Sequence, residues 1–390
     1  MNVRLTPDFG RRLASLAPCN KACALVATAA LLAFFGLGNL PAAAQAVVRP
    51  LEPIGNLWDS GKGFDFDLKK KKAIKARQSV SGIACNLDAQ KQRICLLAFD
   101  EGVQARYAYV GPGRLRMDDE AVALRVDDGE LDAEAAATDG RFYYVAGSHS
   151  AKRGDCASNP HSRHVIRFRL DPATGRALRS ANGVLVNYAD SSRLWAIMQA
   201  QPGLAPFVGE QKCLGSEPPR EAPSLPGRQG VNIEGMAVQG GRLYFGFRGP
   251  ALEGTAQVLA LDAEALFNPA ATDPKAVLTG LTLGRSRGIR DMVAVKDGFL
   301  LLAGPDDSEA SKEVSWTVWL WDGQPASTGK VVQPRLLATL DLSGVKLRKC
   351  DKELKPEAIT VLEETPAAFS LLVLSDGMCD GGPLLFRLAR

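Results

Sequence analysis

The sequence predicts an all-β protein, folded as a single β-propeller of five four-stranded blades. A short unit recurs along the chain: a polar or acidic residue, four or five small and β-branched residues, a turn, an apolar run, then Gly, Ser, Asp or Arg. Each copy is followed by a third strand-like run, and most by a fourth. Four antiparallel strands per unit, repeated at this spacing, are typical of a propeller blade.

The recurring unit has five copies. They are "SVSGIACNLDAQKQRICLLAFDEG" (79–102), which is the weakest, "DAEAAATDGRFYYVAGSHS" (132–150), "NIEGMAVQGGRLYFGFRGP" (232–250), "GIRDMVAVKDGFLLLAGPDD" (288–307) and "KPEAITVLEETPAAFSLLVLSDG" (355–377). Aligning the copies makes five positions equivalent: Ser81, Glu134, Glu234, Asp291 and Glu357. Third runs such as "AQVLALD" (256–262) and fourth runs such as "AVLTGLTLG" (276–284) complete the blades.

Two features complicate the count of blades. The last unit ends after its third strand at Arg390, and "AVVRPLEPIG" (46–55) is an unassigned strand that would complete the last blade and close the ring. The interval between the second and third copies is about twice too long, and it holds a helical segment at 190–200 and a Pro/Gly-rich tract. We interpret residues 188–230 as an insertion, with a sixth, degenerate blade as the alternative.

The first 44 residues have the pattern of a secretory signal peptide. Arginines and a lysine precede an apolar run (22–37), and "PAAAQA" (41–46) follows with an A-x-A cleavage pattern. The run is shorter than a membrane-spanning helix needs, although an uncleaved anchor stays an alternative. We therefore expect a propeller domain over 45–390 in the periplasm or outside the cell, as a monomer that is not an integral membrane protein. Without the leader the chain is nearly neutral, which argues against nucleic-acid binding.

Six cysteines remain after the leader, an even number that favours disulfides in an exported protein. Fifteen connectivities exist for six cysteines. Cys85 and Cys95 flank a polar turn between two strand-like runs, so a bond across that hairpin is the best-supported pair. By elimination, the other pairs are Cys156 with Cys213 and Cys350 with Cys379.

The propeller topology places particular side chains together. The first strand of an up-and-down blade lines the channel and the second returns beside it, so the start of one and the end of the other share one face of the disc, here called the rim. Glu234 and Arg248 then meet on the rim, although they lie at opposite ends of their unit.

Several acids around a narrow channel repel each other unless something compensates them. Ca²⁺ prefers such carboxylate oxygens, and a divalent cation is therefore the predicted cofactor. The predicted metal ligands are Glu134, Glu234, Asp291 and Glu357. Two alternatives stay open: arginines near the rim compensate the acids, or each acid accepts backbone N–H groups from the next blade as a structural staple.

Other rim residues are candidates for ligand binding and catalysis. Histidine is the usual proton-transfer side chain near neutral pH, and His149 follows a second strand. The predicted ligand-binding residues are Arg248, Arg290, Ser148 and His149. The catalytic candidates are His149, Glu234 and Asp291.

At "EGMAVQGGRLYFGFRGP", "GIRDMVAVKDGFLLLAGP" and "YVAGSHS" the chain resembles the bacterial family catalogued as domain of unknown function 3616. The resemblance covers most of residues 75–390. It implies a propeller-like fold and gives weight to His149, Glu234, Arg248, Arg290 and Asp291, but it brings no activity.

The sequence predicts an exported propeller that binds a small anionic molecule or a divalent ion at the rim. One alternative is a metal-assisted hydrolase of an ester, lactone or phosphate, in which the ion polarises an oxygen. The other is a non-catalytic scaffold that binds a protein. Propellers carry unrelated functions, so the fold does not decide between them.

Overall fold

The structure is a computed structural model that describes residues 50–125, 129–153, 155–214, 230–307, 313–325, 327 and 330–390. The predicted signal peptide lies outside these residues, as does 215–229 of the predicted insertion. Strands dominate the described part, and they form five small sheets. None of the helices described is long and apolar enough to cross a membrane.

The five sheets follow one another along the chain, and each is one blade. A short strand, β1 (Pro50–Leu51), precedes them. The first blade contains β2 (Val80–Leu87), β3 (Arg93–Phe99), β4 (Gln104–Gly111) and β5 (Arg114–Ala123). The second contains β6 (Ala133–Thr138), β7 (Phe142–Gly147), β8 (Val165–Arg169) and β9 (Ala189–Ser191). The third contains β10 (Asn232–Gln239), β11 (Arg242–Leu252), β12 (Thr255–Asp262) and β13 (Val277–Thr282).

The fourth and fifth blades differ in strand number. The fourth contains β14 (Arg287–Val295), β15 (Gly298–Pro305), β16 (Thr317–Trp321) and β17 (Arg335–Leu340), and β1 adds to its outer edge. The fifth contains β18 (Lys355–Glu364), β19 (Ala368–Asp376) and β20 (Leu384–Ala389). Adjacent strands within a blade are antiparallel, as the up-and-down pattern predicts.

The blades close into a ring. The inner strands β2, β6, β10, β14 and β18 contact one another in that order, and β18 also contacts β2. Apolar side chains fill the space between blades: Tyr244 of the third blade packs on Phe299 of the fourth, with ring centroids 4.4 Å apart. The five-bladed propeller is confirmed, and no sixth sheet occurs in the described residues.

The N-terminal segment, residues 50–66, runs along the outer edges of three blades, and we call it the strap. β1 pairs with β17 of the fourth blade in parallel. Ile54 N then donates to Leu385 O of the fifth blade at 2.6 Å, and Trp58 N to Pro383 O at 2.9 Å. Leu115 N of the first blade donates to Asp59 O at 3.0 Å. The last blade has three strands, and the strap lies along its outer edge, where a fourth strand would be.

The predicted ring closure therefore needs a correction. The strap does lie against the last blade, but its regular strand pairing is with the fourth blade. Pro53 lies in the strap between β1 and the residues that contact the fifth blade, and a proline has no N–H to donate to a β-ladder. The strap consequently makes isolated hydrogen bonds with the fifth blade in place of a continuous strand.

Three short helices interrupt the blades. They are α1 (Lys70–Arg77), α2 (Arg193–Gln199) and α3 (Ala263–Phe267). The helix predicted at 190–200 is α2. Leu194 and Met198 of α2 are fully buried in the core cluster shared by the second and third blades. The first residues of the predicted insertion are β9, the outer strand of the second blade, and α2 packs between the second and third blades.

All three predicted disulfide pairs are confirmed. Cys85 and Cys95 are directly opposite each other in the β2–β3 pairing. Cys156 is bonded to Cys213, and Cys350 to Cys379. The last two bonds join segments that are distant in sequence.

Replacing Trp58 by alanine tests the contribution of the strap. Trp58 is 8% exposed and packs in the core cluster of the first and last blades, so Trp58→Ala should cost about 3–5 kcal/mol through lost burial and the cavity left behind. Urea unfolding of the two proteins measures this difference. Leu68→Ala is the control, because Leu68 is 48% exposed and should change the unfolding free energy by less than about 0.5 kcal/mol. Equal effects would show that the strap does not belong to the core.

Candidate functional site

Each inner strand has an irregularity near its start, where one residue is skipped in the pairing with the second strand. The skipped residues are Ser81, Glu134, Glu234, Arg290 and Glu357. A bulge of this kind turns one side chain out of the regular alternation between the two faces of the sheet. The repeated bulge places equivalent residues at the rim end of the channel.

This register changes one assignment made from the sequence. The alignment of the copies put Asp291 at the fourth equivalent position, whereas the pairing puts Arg290 there. A bulge adds one residue without changing the apolar pattern, so the sequence gives no sign of the offset. The fourth blade thus contributes a cation where the second, third and fifth contribute carboxylates.

Arg290 lies between the carboxylates of the two neighbouring blades. Its Nε is 2.7 Å from Glu234 Oε2, and its Nη2 forms an ion pair with Glu357 Oε1. The side chain of Arg290 is 1% exposed, and those of Glu234 and Glu357 are 4% and 8% exposed. The arginine therefore acts as a built-in counter-ion for two glutamates.

Arg248 completes this network from the end of the second strand of the third blade. Its Nη1 donates to Glu234 Oε1 at 2.8 Å, and its Nε lies 3.0 Å from Asp307 Oδ1. Asn232 Nδ2 also donates to Glu234 Oε1, at 3.0 Å. The predicted meeting of Glu234 and Arg248 on the rim is confirmed. We call Glu234, Arg248, Arg290, Asp307 and Glu357 the paired half of the rim.

Both arginines of the paired half stay charged at neutral pH. Burial alone would lower the pKa of Arg248, but Asp307 and Glu234 outweigh it and the pKa is raised. Burial, together with the nearby Arg248, lowers the pKa of Arg290 to about 10. Because both guanidinium groups already face carboxylates, neither presents a free cation to an anionic ligand.

Asp291 does not face the channel network but joins blades through their backbones. Its carboxylate accepts N–H groups from Ile359 of the fifth blade and from Met292, both at 2.7 Å, and from Met236 of the third blade. Burial raises the pKa of Asp291 well above its usual range, although these N–H groups oppose the rise. These hydrogen bonds agree with the alternative in which an acid accepts backbone N–H groups from a neighbouring blade as a structural staple.

The opposite side of the rim carries carboxylates without such compensation. Asp100 directly follows β3, Asp132 directly precedes β6, and Glu134 is the second residue of β6. Burial, followed by the charge of nearby acids, raises the pKa of Asp100 and of Glu134 well above their usual ranges. We call Asp100, Asp132 and Glu134 the acidic half of the rim.

The third group of the acidic half, Asp132, also has a raised pKa. Burial raises it to about 6, although a hydrogen bond from Ser148 opposes the rise. The charges of Asp132 and Asp100 in turn act on Glu134, so the three groups form one coupled cluster. A proton or another cation is needed there to relieve the repulsion.

Two carboxylates of this cluster have oxygens without partners among the described residues. Oδ1 of Asp100 is shielded from solvent and accepts no hydrogen bond there. The carboxylate of Glu134 takes part in no ion pair or hydrogen bond that the described residues provide, and the residue keeps some exposure toward the channel. Shielded acceptors without donors are what a bound cation would occupy.

His149 and Ser148 follow the second strand of the second blade. Ser148 Oγ donates to Asp132 and lies 2.9 Å from Ser150 Oγ, which places Ser148 beside the acidic half. His149 is fully buried, its Nδ1 is 2.9 Å from Gly147 O, and its Nε2 has no partner among the described residues. Burial lowers the pKa of His149 to about 4. The nearby charges of His164 and Arg163 also lower it, so His149 is neutral at pH 7.

The four predicted metal ligands do not converge on one point. Glu234 and Glu357 face Arg290, Asp291 faces backbone N–H groups, and Glu134 belongs to the acidic half. Only one group of three metal-ligating atoms within 4.8 Å of one another occurs in the described residues, at Cys350, Asp351 and Cys379. There the two cysteines are bonded to each other, and Asp351 accepts from Arg348 and from Cys379 N.

Asp100 and Asp132 are not among the metal ligands predicted from the sequence. Asp132 stands two residues before Glu134, in the same strand start, and has a φ of 54°. Its carboxylate reaches the rim because the chain turns before β6 begins. The feature of the sequence that could have identified Asp132 is an acidic side chain two positions before the bulged residue Glu134.

The sequence model of the family described as "Protein of unknown function (DUF3616)" matches residues 169–380. No curated protein matches the chain. Several solved structures are similar at low identity. A GH43 β-1,3-galactosidase has 10% identity and a TM-score of 0.41, with 88% of this chain and 60% of that chain covered.

Two other solved structures show a comparable likeness. A glycosyl hydrolase from Bacteroides ovatus has 10% identity and a TM-score of 0.41, with 87% of this chain and 94% of that chain covered. Regucalcin from Agrobacterium tumefaciens, described as a calcium-binding protein, has 10% identity and a TM-score of 0.33, with 88% and 95% covered. Likenesses this distant bring no activity to the side chains of the rim.

Removing Arg290 should destabilise the ring. Arg290→Met leaves Glu357 buried without a counter-ion and leaves Glu234 with Arg248 alone, which should cost about 3–5 kcal/mol at pH 7. The loss should shrink as the pH falls, because unpaired buried glutamates take up protons more readily. Urea unfolding at pH 7 and pH 5 measures both effects.

The variant Arg290→Met/Glu234→Gln/Glu357→Gln removes the charges together and should recover part of the loss. Arg287→Met is the matched control, because Arg287 lies on the same strand and its side chain donates to Ser315 O and Ser315 Oγ instead of to the carboxylates of the rim. A stability of Arg290→Met equal to that of the wild type at pH 7 would contradict the role of counter-ion.

Proposed function

The chain belongs to the family described as protein of unknown function (DUF3616), and we propose that it is an exported β-propeller protein that binds a divalent cation at the acidic half of the rim. The observation that carries this proposal is the uncompensated cluster of Asp100, Asp132 and Glu134. Their pKa values are raised, and Oδ1 of Asp100 and the carboxylate of Glu134 have no donor among the described residues.

The charge distribution supports a cation in preference to an anion. In the paired half, Arg248 and Arg290 are already bound by Glu234, Asp307 and Glu357. An anionic ligand would have to displace those carboxylates. In the acidic half a cation meets no such competitor within the buried network. The hypothesis of a small anionic ligand bound by the two arginines is therefore disfavoured.

The donor set favours a hard cation. Every candidate ligand in the acidic half is a carboxylate oxygen, which suits Ca²⁺, with six to eight oxygens at about 2.3–2.6 Å. The three carboxylates do not come within 4.8 Å of one another as a group. Ca²⁺ accepts water molecules as ligands, so part of its coordination would come from water. Ca²⁺ is accordingly the ion that we propose, ahead of Mg²⁺, which requires a stricter geometry.

Export is part of the same proposal. Three disulfides are present in the described residues, and disulfides persist mainly in oxidising compartments outside the cytoplasm. Millimolar Ca²⁺ sites are typical of extracellular modules. Ion binding is also the step that a metal-assisted hydrolase and a binding protein would share, so it is the first function to test.

Calcium titration of the purified protein tests this function. Ca²⁺ at a hundredfold above its dissociation constant should stabilise the fold by about 2.7 kcal/mol, measured as a rise in melting temperature that EDTA reverses. Asp132→Asn and Glu134→Gln should each weaken binding roughly tenfold in calorimetry, because each removes one anionic ligand. Asp119→Asn is the control: Asp119 is exposed and lies outside the acidic half. An unchanged melting temperature with Ca²⁺, Mg²⁺ and Mn²⁺ alike would exclude the proposal.

Binding should also depend on pH, because protons compete with the cation for the same carboxylates. The pKa of Asp132 near 6 means that this group is ionised at pH 7 and protonated at pH 5. Ca²⁺ affinity should therefore fall roughly tenfold or more from pH 7 to pH 5. Calorimetry in buffers of different ionisation enthalpy would also detect the protons released on binding.

The stability of the ion-free protein should show the opposite trend at Asp132. A pKa raised in the folded state means that the folded chain binds this proton more tightly than the unfolded chain does. The stability that the proton contributes is complete below the usual aspartate pKa of 3.8 and is lost as the pH rises through about 6. A Ca²⁺ affinity that stays constant from pH 5 to pH 7 would contradict the assignment of Asp132.

A further inference from the structure

The channel contains a cavity on the side away from the rim, and we call it the far cavity. Its volume is about 180 Å³, and all five inner strands line it. Each inner strand is the edge of its sheet, so its free side presents unpaired backbone N–H and C=O groups to the channel. The lining consists of Arg93 and of residues 83–85, 136–138, 236–238, 292–294 and 360–361.

Among the described residues of this lining, only Arg93 carries a charge. It is the first residue of β3 and is half-buried. Its Nη1 donates to Val361 O at 3.3 Å, and its Nη2 donates to Leu362 O at 2.6 Å. A guanidinium has five N–H groups, so three of them have no partner in the described part of the chain. Arg93 therefore brings a positive charge and available donors to the far cavity.

The two carbonyl groups fix Arg93 in place without neutralising it. They belong to β18 of the fifth blade, where the pairing with β19 is irregular between Val361 and Glu363. A carbonyl oxygen accepts hydrogen bonds but carries no net charge. The guanidinium is thus held at the cavity in advance of any ligand, which reduces the entropy lost on binding.

No carboxylate compensates Arg93 within the described residues. Burial lowers the pKa of its guanidinium, and no nearby acid opposes this effect. The acids that follow on β18 have other partners: Glu363 accepts from Ser370, and Glu364 pairs with Arg390. A charge that is partly removed from water without a counter-ion is unfavourable. An anion in the far cavity would supply the missing charge.

We propose that the far cavity is a binding site for a small monocarboxylate, held by Arg93. The planar guanidinium matches a carboxylate, which accepts two N–H groups in parallel. One positive charge compensates one negative charge, whereas a dianion such as phosphate would bring an uncompensated charge into the cavity. The volume is below the roughly 300–1,000 Å³ of pockets for drug-sized molecules, so the ligand has few carbon atoms.

Titration with sodium propionate tests this site in protein labelled with ¹³C at the methionine methyl groups. Met236 and Met292 line the far cavity, whereas Met198 lies in α2 and Met378 follows β19. In NMR spectra at pH 7 with EDTA, the signals of Met236 and Met292 should shift to saturation, and those of Met198 and Met378 should not. The dissociation constant should be on the order of 1 mM, as suits a ligand of few atoms.

Controls separate charge, donor geometry and fold. Propionamide has the shape of propionate without its charge and should cause no shift at the same concentrations. Arg93→Gln should weaken propionate binding at least tenfold, and Arg93→Lys about threefold, because lysine keeps the charge but lacks the planar fork. Arg116→Gln is the matched control and should bind as the wild type does, because Arg116 is exposed on β5, the outer strand of the same blade.

Three results would overturn the carboxylate site. One is equal binding of propionate and propionamide by the wild type. Another is propionate binding that shifts neither Met236 nor Met292. The third is wild-type affinity in Arg93→Gln, with an unchanged Met198 signal as evidence that the variant is folded. If Arg93→Gln does not fold, Arg93→Lys and the wild-type comparison with propionamide give the answer. All samples contain EDTA, so failure of the carboxylate site would leave the proposed cation site unaffected.

Discussion

Compensation of buried charge is the constraint on which the rim depends. Five blades bring the starts of their inner strands to one narrow mouth, and carboxylates crowded there cannot all stay ionised without opposite charge nearby. The third, fourth and fifth blades meet this requirement from within, since Arg290 lies between Glu234 and Glu357. In the first and second blades, burial together with the charges of nearby acids raises the pKa values of Asp100 and Glu134.

The fold follows from the same repetition that creates this problem. Each unit is an up-and-down sheet whose inner strand is bulged at one residue, and the bulge presents that residue to the channel. Asp291, one position after the bulge in the fourth blade, points instead to the backbones of its neighbours. In the fourth blade, the bulged residue Arg290 is therefore a counter-ion in the channel, whereas the next residue, Asp291, joins neighbouring blades.

The sequence could predict the parts of the fold that depend on pattern. Alternating apolar runs and turns predicted five blades, and the meander predicted that Glu234 and Arg248 would meet. It could not predict the parts that depend on register. The bulge at Arg290 leaves the apolar pattern unchanged, so Asp291 was aligned in its place. The strap pairs with β17 and makes only isolated hydrogen bonds with the fifth blade, and the choice between these two outer edges depends on tertiary packing. Burial of His149 was likewise invisible, since a histidine on a loop of polar residues gives no sign of its depth.

The two halves of the rim are linked through Glu234. Its Oε1 accepts from Arg248 and Asn232, and its Oε2 faces Arg290, so its position is fixed. The charge of Glu234 raises the pKa values of Asp132 and Glu134, whereas the charge of Arg290 lowers the pKa of Glu134. The paired half therefore acts on the acidic half with charges of both signs. The built-in arginines consequently limit where a ligand can be held, and they leave the mouth beside the first and second blades as the place for an external positive charge.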